Sequence, residues 1–252
     1  MSGNLVRKRP STFSDHWSQP RLFYNSLSPV EQQFLIDAIR FETSHIDPAI
    51  QENVLAQLNK VSHDVAVRVA TAIGLEAPEA DPTYYHDNTT AGISIFSEKL
   101  PSIATLRVGV LASTSSEGSL SQASAVKEAF ASDNVTVITV AETLGEGIDQ
   151  TYSQAEAVGF DGIIVAEGTD NLFNATVKST LYPPRRPAQI LADGYNWGKP
   201  IGFIGEADAV LQSVDVSKGD GVYTLASVDE VVQEIRDGLA TFKFTDRFAI
   251  DE

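Results

Sequence analysis

The chain has 252 residues, of which 42% are hydrophobic and 21% charged, a composition typical of globular proteins and unlike that of disordered or fibrous ones. It has no cysteine, which excludes disulfides, thiolate nucleophiles and cysteine-bound metals. The formal net charge of −16 repels nucleic acid and anionic lipid, so we expect neither as a partner, although solubility alone explains such a charge equally well.

The first residues of the chain carry no targeting signal that we recognise. Residues 1–10 are basic at Arg7, Lys8 and Arg9 but lack the apolar stretch of a signal peptide. No run of about 20 apolar residues occurs anywhere, so we expect no membrane span, and the compartment stays open. Residues 1–27 show little periodicity, which predicts an irregular segment whose aromatic side chains need a surface to pack on.

Helix signals begin at Ser28-Pro29-Val30-Glu31. Serine can cap a helix there, proline suits the first helical position, and the glutamate can bond back to the cap. A second start of this kind lies at Asp47-Pro48, and the helical pattern ends near Gly74. Residues 28–76 are thus predicted to form two or three short helices. Because so few helices bury little apolar surface alone, we expect them to pack against another body.

Residues 77–102 follow without periodicity. They contain proline, aspartate, asparagine, threonine and glycine, which together predict an extended linker. The stretch is long for a connection inside one compact domain, so we place a domain boundary at its end.

Residues 103–252 alternate short apolar runs with amphipathic helical patterns. The runs predict strands at residues 106–112, 135–140, 162–166, 200–205 and 222–225. Continuously apolar strands separated by helices indicate a parallel sheet that is covered on both faces. We therefore predict an α/β fold with a flavodoxin-like, doubly wound parallel sheet of about five or more strands.

In such a sheet, ligands bind outside the carboxyl ends of the strands. The loop after the first strand, Ser113-Thr114-Ser115-Ser116-Glu117-Gly118, resembles the phosphate-binding loop of flavodoxins, so an FMN-binding carrier is one hypothesis. Helix capping explains the same loop, and Glu117 would place a negative charge beside the phosphate. A hydrolase that uses Ser113–Ser116 is a weaker hypothesis, because all four histidines precede the first strand.

The loop after the fourth strand, Gly202-Phe203-Ile204-Gly205-Glu206-Ala207, has the form of a nucleophile elbow without a nucleophile. It resembles class I glutamine amidotransferase-like domains, in which a cysteine at this turn is helped by a glutamate after the first strand. The resemblance implies that Glu117, Glu167, Gly205 and Glu206 mark a degenerate pocket and that the chain has no catalytic residue. The three glutamates could together suggest a divalent metal, but loop carboxylates are normally solvated, so we expect no metal site.

The most specific resemblance involves residues 15–33. The segment Asp15-His16-Trp17-Ser18-Gln19-Pro20-Arg21-Leu22-Phe23-Tyr24, followed by Leu27-Ser28-Pro29-Val30-Glu31-Gln32-Gln33, resembles the stretch that follows the β-barrel in haem catalases. With the linker and the cysteine-free α/β domain, the order is similar to the tail of a large-subunit catalase, above all those of filamentous fungi. Arg21 and Tyr24 are three residues apart, where the proximal haem motif of that family has four. We therefore assign no haem ligand.

The catalase resemblance implies a non-catalytic accessory region of an enzyme that removes hydrogen peroxide under oxidative stress. Its expected partners are the catalase core and the other subunits of a homotetramer, which it would stabilise and whose haem channel it would influence. Unfolded client proteins are a further expected partner, as they are for chaperones of the amidotransferase-like superfamily. The resemblance implies haem in the parent enzyme and no cofactor in this chain, and it makes residues 28–76 the last helices of the catalase core.

Overall fold

The computed structural model describes residues 7–251, which form two compact units. One unit comprises the described residues up to Ser97 together with 249–251, and the other comprises Glu98–Phe248. Residues 1–6 lie outside the described residues. They are part of the predicted irregular segment and of the stretch considered for a signal peptide. Within the described chain, no helix is long and apolar enough to cross a membrane.

The first unit is helical. Its helices are α1 (Ser18–Ser26), α2 (Pro29–Thr43), α3 (Pro48–Val61) and α4 (His63–Ile73). Helix α2 begins at the predicted capping box, in which the Glu31 carboxylate accepts from the Ser28 amide at 2.9 Å and the Glu31 amide donates back to the Ser28 hydroxyl. Asp47 caps α3 by accepting from the Ala49 amide at 2.9 Å.

Helix α1 corrects the expectation of an irregular segment over residues 1–27. Its weak periodicity is overridden by packing, because Tyr24 is buried in the core of the helical unit and its hydroxyl donates to Asp64 at 2.9 Å. That core is small, with six buried residues: Tyr24, Ile36, Leu55, Val65, Val69 and Ala70.

The predicted extended linker is largely bound to the helices. Residues 79–95, which we call the strap, run along the helical unit and begin where the Asn59 side chain donates to the carbonyl of Glu79 at 2.6 Å. Further along, the Arg21 guanidinium donates to the carbonyl of His86 at 2.6 Å and lies over the ring of Tyr85. The boundary between the two units falls after Ser97, so little of the predicted linker is free.

The second unit confirms the predicted α/β fold. Its strands are β1 (Arg107–Leu111), β2 (Thr136–Ala141), β3 (Gln150–Thr151), β4 (Gly162–Val165), β5 (Ile201–Ile204) and β6 (Val222–Leu225). All neighbouring strands are parallel, in the order β3-β2-β1-β4-β5-β6. Without the two-residue β3, which the sequence did not predict, the five longer strands have the 2-1-3-4-5 order of flavodoxin-like sheets.

Helices cover both faces of this sheet, as predicted. They are α5 (Glu117–Ala129), α6 (Asp170–Phe173), α7 (Arg186–Asn196), α8 (Asp208–Ser213) and α9 (Val228–Thr241). One buried apolar cluster joins α5 and α9 to the sheet, and the other joins α6, α7 and α8 to it. Alternate residues of β1 enter the two clusters, with Val108 and Val110 in the first and Leu111 in the second.

Candidate functional site

The centre of the carboxyl edge of the sheet is where this fold class places its ligands. Strands β1 and β4 lie side by side there, and the chain leaves β1 towards β2 on one side and β4 towards β5 on the other. The loops that decide function are therefore those that follow Leu111, Val165 and Ile204. They carry all four of the site residues predicted from the sequence.

The elbow after β5 is closed by a carboxylate. Gly205 has a left-handed backbone with φ of +79°, and a Cβ at this position would lie 3.2 Å from Cδ of Glu167. Gln122 on α5 holds Glu167 in place, since its amide oxygen accepts from the Glu167 amide at 2.8 Å and its nitrogen donates to the carboxylate at 3.3 Å. A side chain at position 205 would therefore be in tight contact with the carboxylate of Glu167.

The loops after β1 and β4 approach each other closely at Gly168. Gly168 also has a left-handed backbone, with φ of +76°, and a Cβ there would lie only 2.7 Å from the hydroxyl oxygen of Ser116. The loops after β1 and β4 are thus in van der Waals contact. Ser116 is at the same time the cap of α5, accepting from the Ser119 amide at 3.3 Å.

The other two predicted site residues lie nearby without forming a metal site. Glu117 is the first residue of α5 and is exposed, and Glu206 is exposed beside the elbow. Among the described residues, no group of three or more histidine, aspartate or glutamate side chains could hold a metal ion. The structure thus brings Glu167 and Gly205 together, and the degenerate pocket expected from Glu117, Glu167, Gly205 and Glu206 stays a prediction.

Glu142 is a residue of this edge that the sequence reasoning missed. Its carboxylate accepts from the Ser113 hydroxyl and from the Thr114 amide, each at 2.7 Å, and from the Thr114 hydroxyl at 3.1 Å. These are the donors that would hold a flavin phosphate, so a carboxylate from the chain takes the place of the anion. The available signal was an acidic residue directly after β2, whose parallel pairing with β1 brings the two strand ends together.

Arg21 and Tyr24 do not fit the role of haem ligands. Arg21 donates to the carbonyls of His86 and Val61, at 2.6 and 2.7 Å. Burial, together with the hydrogen bond to Asp64, raises the pKa of Tyr24 to about 12. Both side chains hold the helical unit together.

The helical unit exposes an apolar groove between α1 and α3. The groove has a volume of about 420 Å³. The indole nitrogen of Trp17 donates to Gln57 at 3.0 Å, and the Lys60 ammonium lies 4.4 Å from the centre of a Trp17 ring. The main apolar lining residues are Trp17, Pro20, Ile50, Val54, Leu58 and Val61. We refer to this feature as the helical groove.

Comparisons with known proteins identify relatives of both units. A family model described as the C-terminal domain found in long catalases matches residues 104–249, and a model described as catalase-related immune-responsive matches residues 10–73. Over 253 residues the chain is 55% identical to "Catalase-3" of Neurospora crassa, covering 99% of this chain and 35% of that protein.

More distant relatives are also named as catalases. The chain is 47% identical to "Catalase B" of Emericella nidulans over 257 residues, covering 99% of this chain and 36% of that protein. It is 28% identical to "Catalase-2" of Bacillus subtilis over 235 residues, covering 89% of this chain and 32% of that protein. The chain thus spans about a third of the length of these curated relatives.

Proposed function

The chain belongs to the family of C-terminal domains of long catalases, and from this premise we propose that it is a non-catalytic accessory region of a catalase that removes hydrogen peroxide. The observation that supports the non-catalytic part is the elbow, which has Gly205 at the turn, without a side chain, and the carboxylate of Glu167 in close contact with it. With no cysteine in the chain and no histidine after residue 86, thiolate and serine–histidine chemistry lack their groups in the α/β unit.

The helical groove supports the proposal that this region docks onto the rest of a longer catalase. The groove is lined almost entirely by apolar side chains that are open to solvent, and a partner that covered them would remove this apolar surface from water. Outside the groove, the helical unit also exposes Phe23 and Phe41, with 46% and 68% of their surface accessible. A docked helical unit would bury these side chains and stabilise the parent tetramer.

The amino-acid composition suits a protein that functions in the presence of hydrogen peroxide. Peroxide oxidises thiols and thioethers most readily, and this chain has no cysteine and only Met1 as a thioether. We propose that the chain also holds unfolded client proteins, since the net charge of −16 keeps complexes with apolar segments in solution.

An aggregation assay tests the client-holding function. A heat-labile enzyme is warmed with increasing amounts of the chain, untreated or treated beforehand with hydrogen peroxide, while light scattering is recorded. We expect scattering to fall with dose to the same extent for both preparations, whereas an unrelated acidic protein of similar size gives no protection. Unchanged scattering at stoichiometric excess of the chain would remove this function.

We propose no cofactor for this chain, and the FMN hypothesis lacks support in the site. The hydroxyls and the amide that would bind the phosphate are bound to Glu142. Titration of the purified chain with FMN should leave the flavin fluorescence unchanged. Stoichiometric quenching of the flavin fluorescence would instead support the hypothesis of an FMN-binding carrier.

A further inference from the structure

Two large apolar side chains lie exposed on the same groove of the α/β unit. Val158 is 83% exposed and Trp197 is 63% exposed, and both line a groove of about 200 Å³ between α7 and the turn Ala157–Gly159. Apolar side chains scattered singly on a surface are ordinary, whereas Val158 and Trp197 meet at one groove, where they supply the apolar surface that a ligand can reach. Tryptophan is also among the residues that most often dominate binding energy.

The walls of this groove are held in place by hydrogen bonds. The ammonium of the buried Lys199 donates to the carbonyls of Ala157 and Phe160, which fixes the turn that presents Val158. On the other side, the Trp197 amide donates to the carbonyl of Asp193 at 2.9 Å at the end of α7. Because the walls are already fixed, binding at this groove loses little conformational entropy.

The groove combines apolar with polar and charged side chains. Ile190 lies behind the groove and is only 1% exposed, so the apolar contacts open to a ligand are those of Val158 and Trp197, beside the polar side chain of Gln189. The rim carries Glu156 and Asp193, while Arg186 closes one end and lies 3.8 Å from Glu156. The whole unit carries 21 acidic and 11 basic side chains, so its field attracts cations.

We propose that this groove, which we call the Trp197 groove, binds one aliphatic or aromatic side chain of an unfolded segment whose neighbouring residues are lysine or arginine. The inference rests on the proposed client-holding function. The volume suits one side chain rather than a larger ligand, and the acidic rim repels acidic segments. A second copy of the chain is disfavoured as the occupant because its α/β unit carries the same excess of acidic groups.

Tryptophan fluorescence can report binding directly. The chain has two tryptophans, and Trp17 lies in the helical unit, so Trp17→Phe leaves Trp197 as the one tryptophan, which is excited selectively over the tyrosines at long wavelength. The probe is an unstructured peptide with a central leucine flanked by lysines, compared with the same peptide flanked by glutamates. We expect the lysine peptide to shift the Trp197 emission and to bind about tenfold or more tightly than the glutamate peptide at low salt.

Matched variants locate the binding. Trp197→Ala and Val158→Ser should each weaken binding of a dye-labelled lysine peptide several-fold, and Val158 is so exposed that its replacement leaves the fold intact. Leu144→Ala should leave binding unchanged, although Leu144 is 62% exposed. Wild-type binding by both groove variants, or equal binding of the two peptides, would overturn the proposal.

Two further outcomes separate this inference from the proposed function. If the groove variants lose the peptide but still suppress aggregation fully, the groove is not the client site, whereas the client-holding function stands. If the chain binds the peptide at the groove but suppresses no aggregation, the client-holding function fails and the groove remains a peptide site. Association of the chain into dimers that Trp197→Ala dissolves would make a second copy the occupant and overturn the proposal.

Discussion

The two units bury their apolar side chains to different extents. The α/β unit has a buried cluster on each face of its sheet, and its largest buried side chains, such as Phe203 and Ile164, are no more than 2% exposed. The helical unit has one cluster of six buried residues and leaves the helical groove open, with Phe41 and Ile50 more than half exposed. Apolar packing thus stabilises the α/β unit far more than it stabilises the helical unit.

In the helical unit, polar contacts between residues that are far apart in the sequence compensate for the small apolar core. The strap binds Arg21 and Asn59, and Asp251 near the end of the described chain binds Arg40 and Arg68. The comparison teaches that the α/β unit has a complete core, whereas the helical unit presents surface that suits a partner. This division agrees with a region that works as part of a longer protein.

Truncation of a core aromatic should have the largest effect. Phe203→Ala removes a ring that is 1% exposed and leaves a cavity, so we expect the free energy of unfolding to fall by about 3–5 kcal/mol. Urea denaturation measures the change. Phe41→Ala in the helical unit is the control, with an expected change within about 0.5 kcal/mol because that ring is 68% exposed. Equal losses for the two variants would contradict the comparison.

Loss of Arg21 should detach the strap. Arg21→Ala removes the donors to His86 and Val61 and the stacking on Tyr85, which we expect to cost about 2–3 kcal/mol. Hydrogen exchange should become faster in strap amides such as that of Thr90, which donates to Ser26. Arg21→Lys keeps the charge without the forked geometry and should recover only part of the protection. Unchanged exchange in Arg21→Ala would show that the strap is held otherwise.

A side chain introduced at the elbow should lower the free energy of unfolding by less than either of these two substitutions. Gly205→Ala places a methyl group on a left-handed backbone and against Glu167, so we expect a loss of about 1–2 kcal/mol by calorimetry. Gly219→Ala is a matched control, because nothing lies within 4 Å of its Cβ position and its φ is not left-handed. If the two variants were equally stable, the elbow would not be closed.

The smallest effect concerns pH. The hydrogen bond from Arg40, joined by one from Arg68, lowers the pKa of Asp251 to about 2, compared with 3.8 for a free aspartate. The carboxylate therefore contributes stability that is present above pH 3.8 and is lost as the pH falls through 2. The charges are partly exposed, so we expect Asp251→Asn to cost only about 1 kcal/mol at pH 7. The difference from the wild type should shrink as the pH falls from 3.8 to 2, and a difference that stays constant over this range would refute the assignment.

Much of the α/β unit could be predicted from sequence because its signals are local. Apolar runs of four to six residues mark the longer strands, and Ser227 with Glu230 forms a capping box at the start of α9. The elbow at Gly205 was recognisable from its small residues. The carboxylate that contacts it was not, because the Glu167 side chain reaches the elbow only once β4 and β5 are paired.

The helical unit shows where local signals fail. Helix α1 and the strap depend on Arg21, whose acceptors lie 40 and 65 residues further along the chain. Glu142 was missed for the same reason, since its partners Ser113 and Thr114 precede it by 29 and 28 residues. Polar side chains that bind distant backbone leave no periodic pattern in a sequence.

Removal of this region from a long catalase tests the central claim most directly. The Neurospora crassa relative, with and without the part that aligns with this chain, is heated, and the half-time of inactivation of peroxide removal is measured. We expect the truncated enzyme to start at a similar rate and to lose activity several-fold faster, because its docking surface is left uncovered. Equal half-times for the two enzymes would contradict the stabilising function.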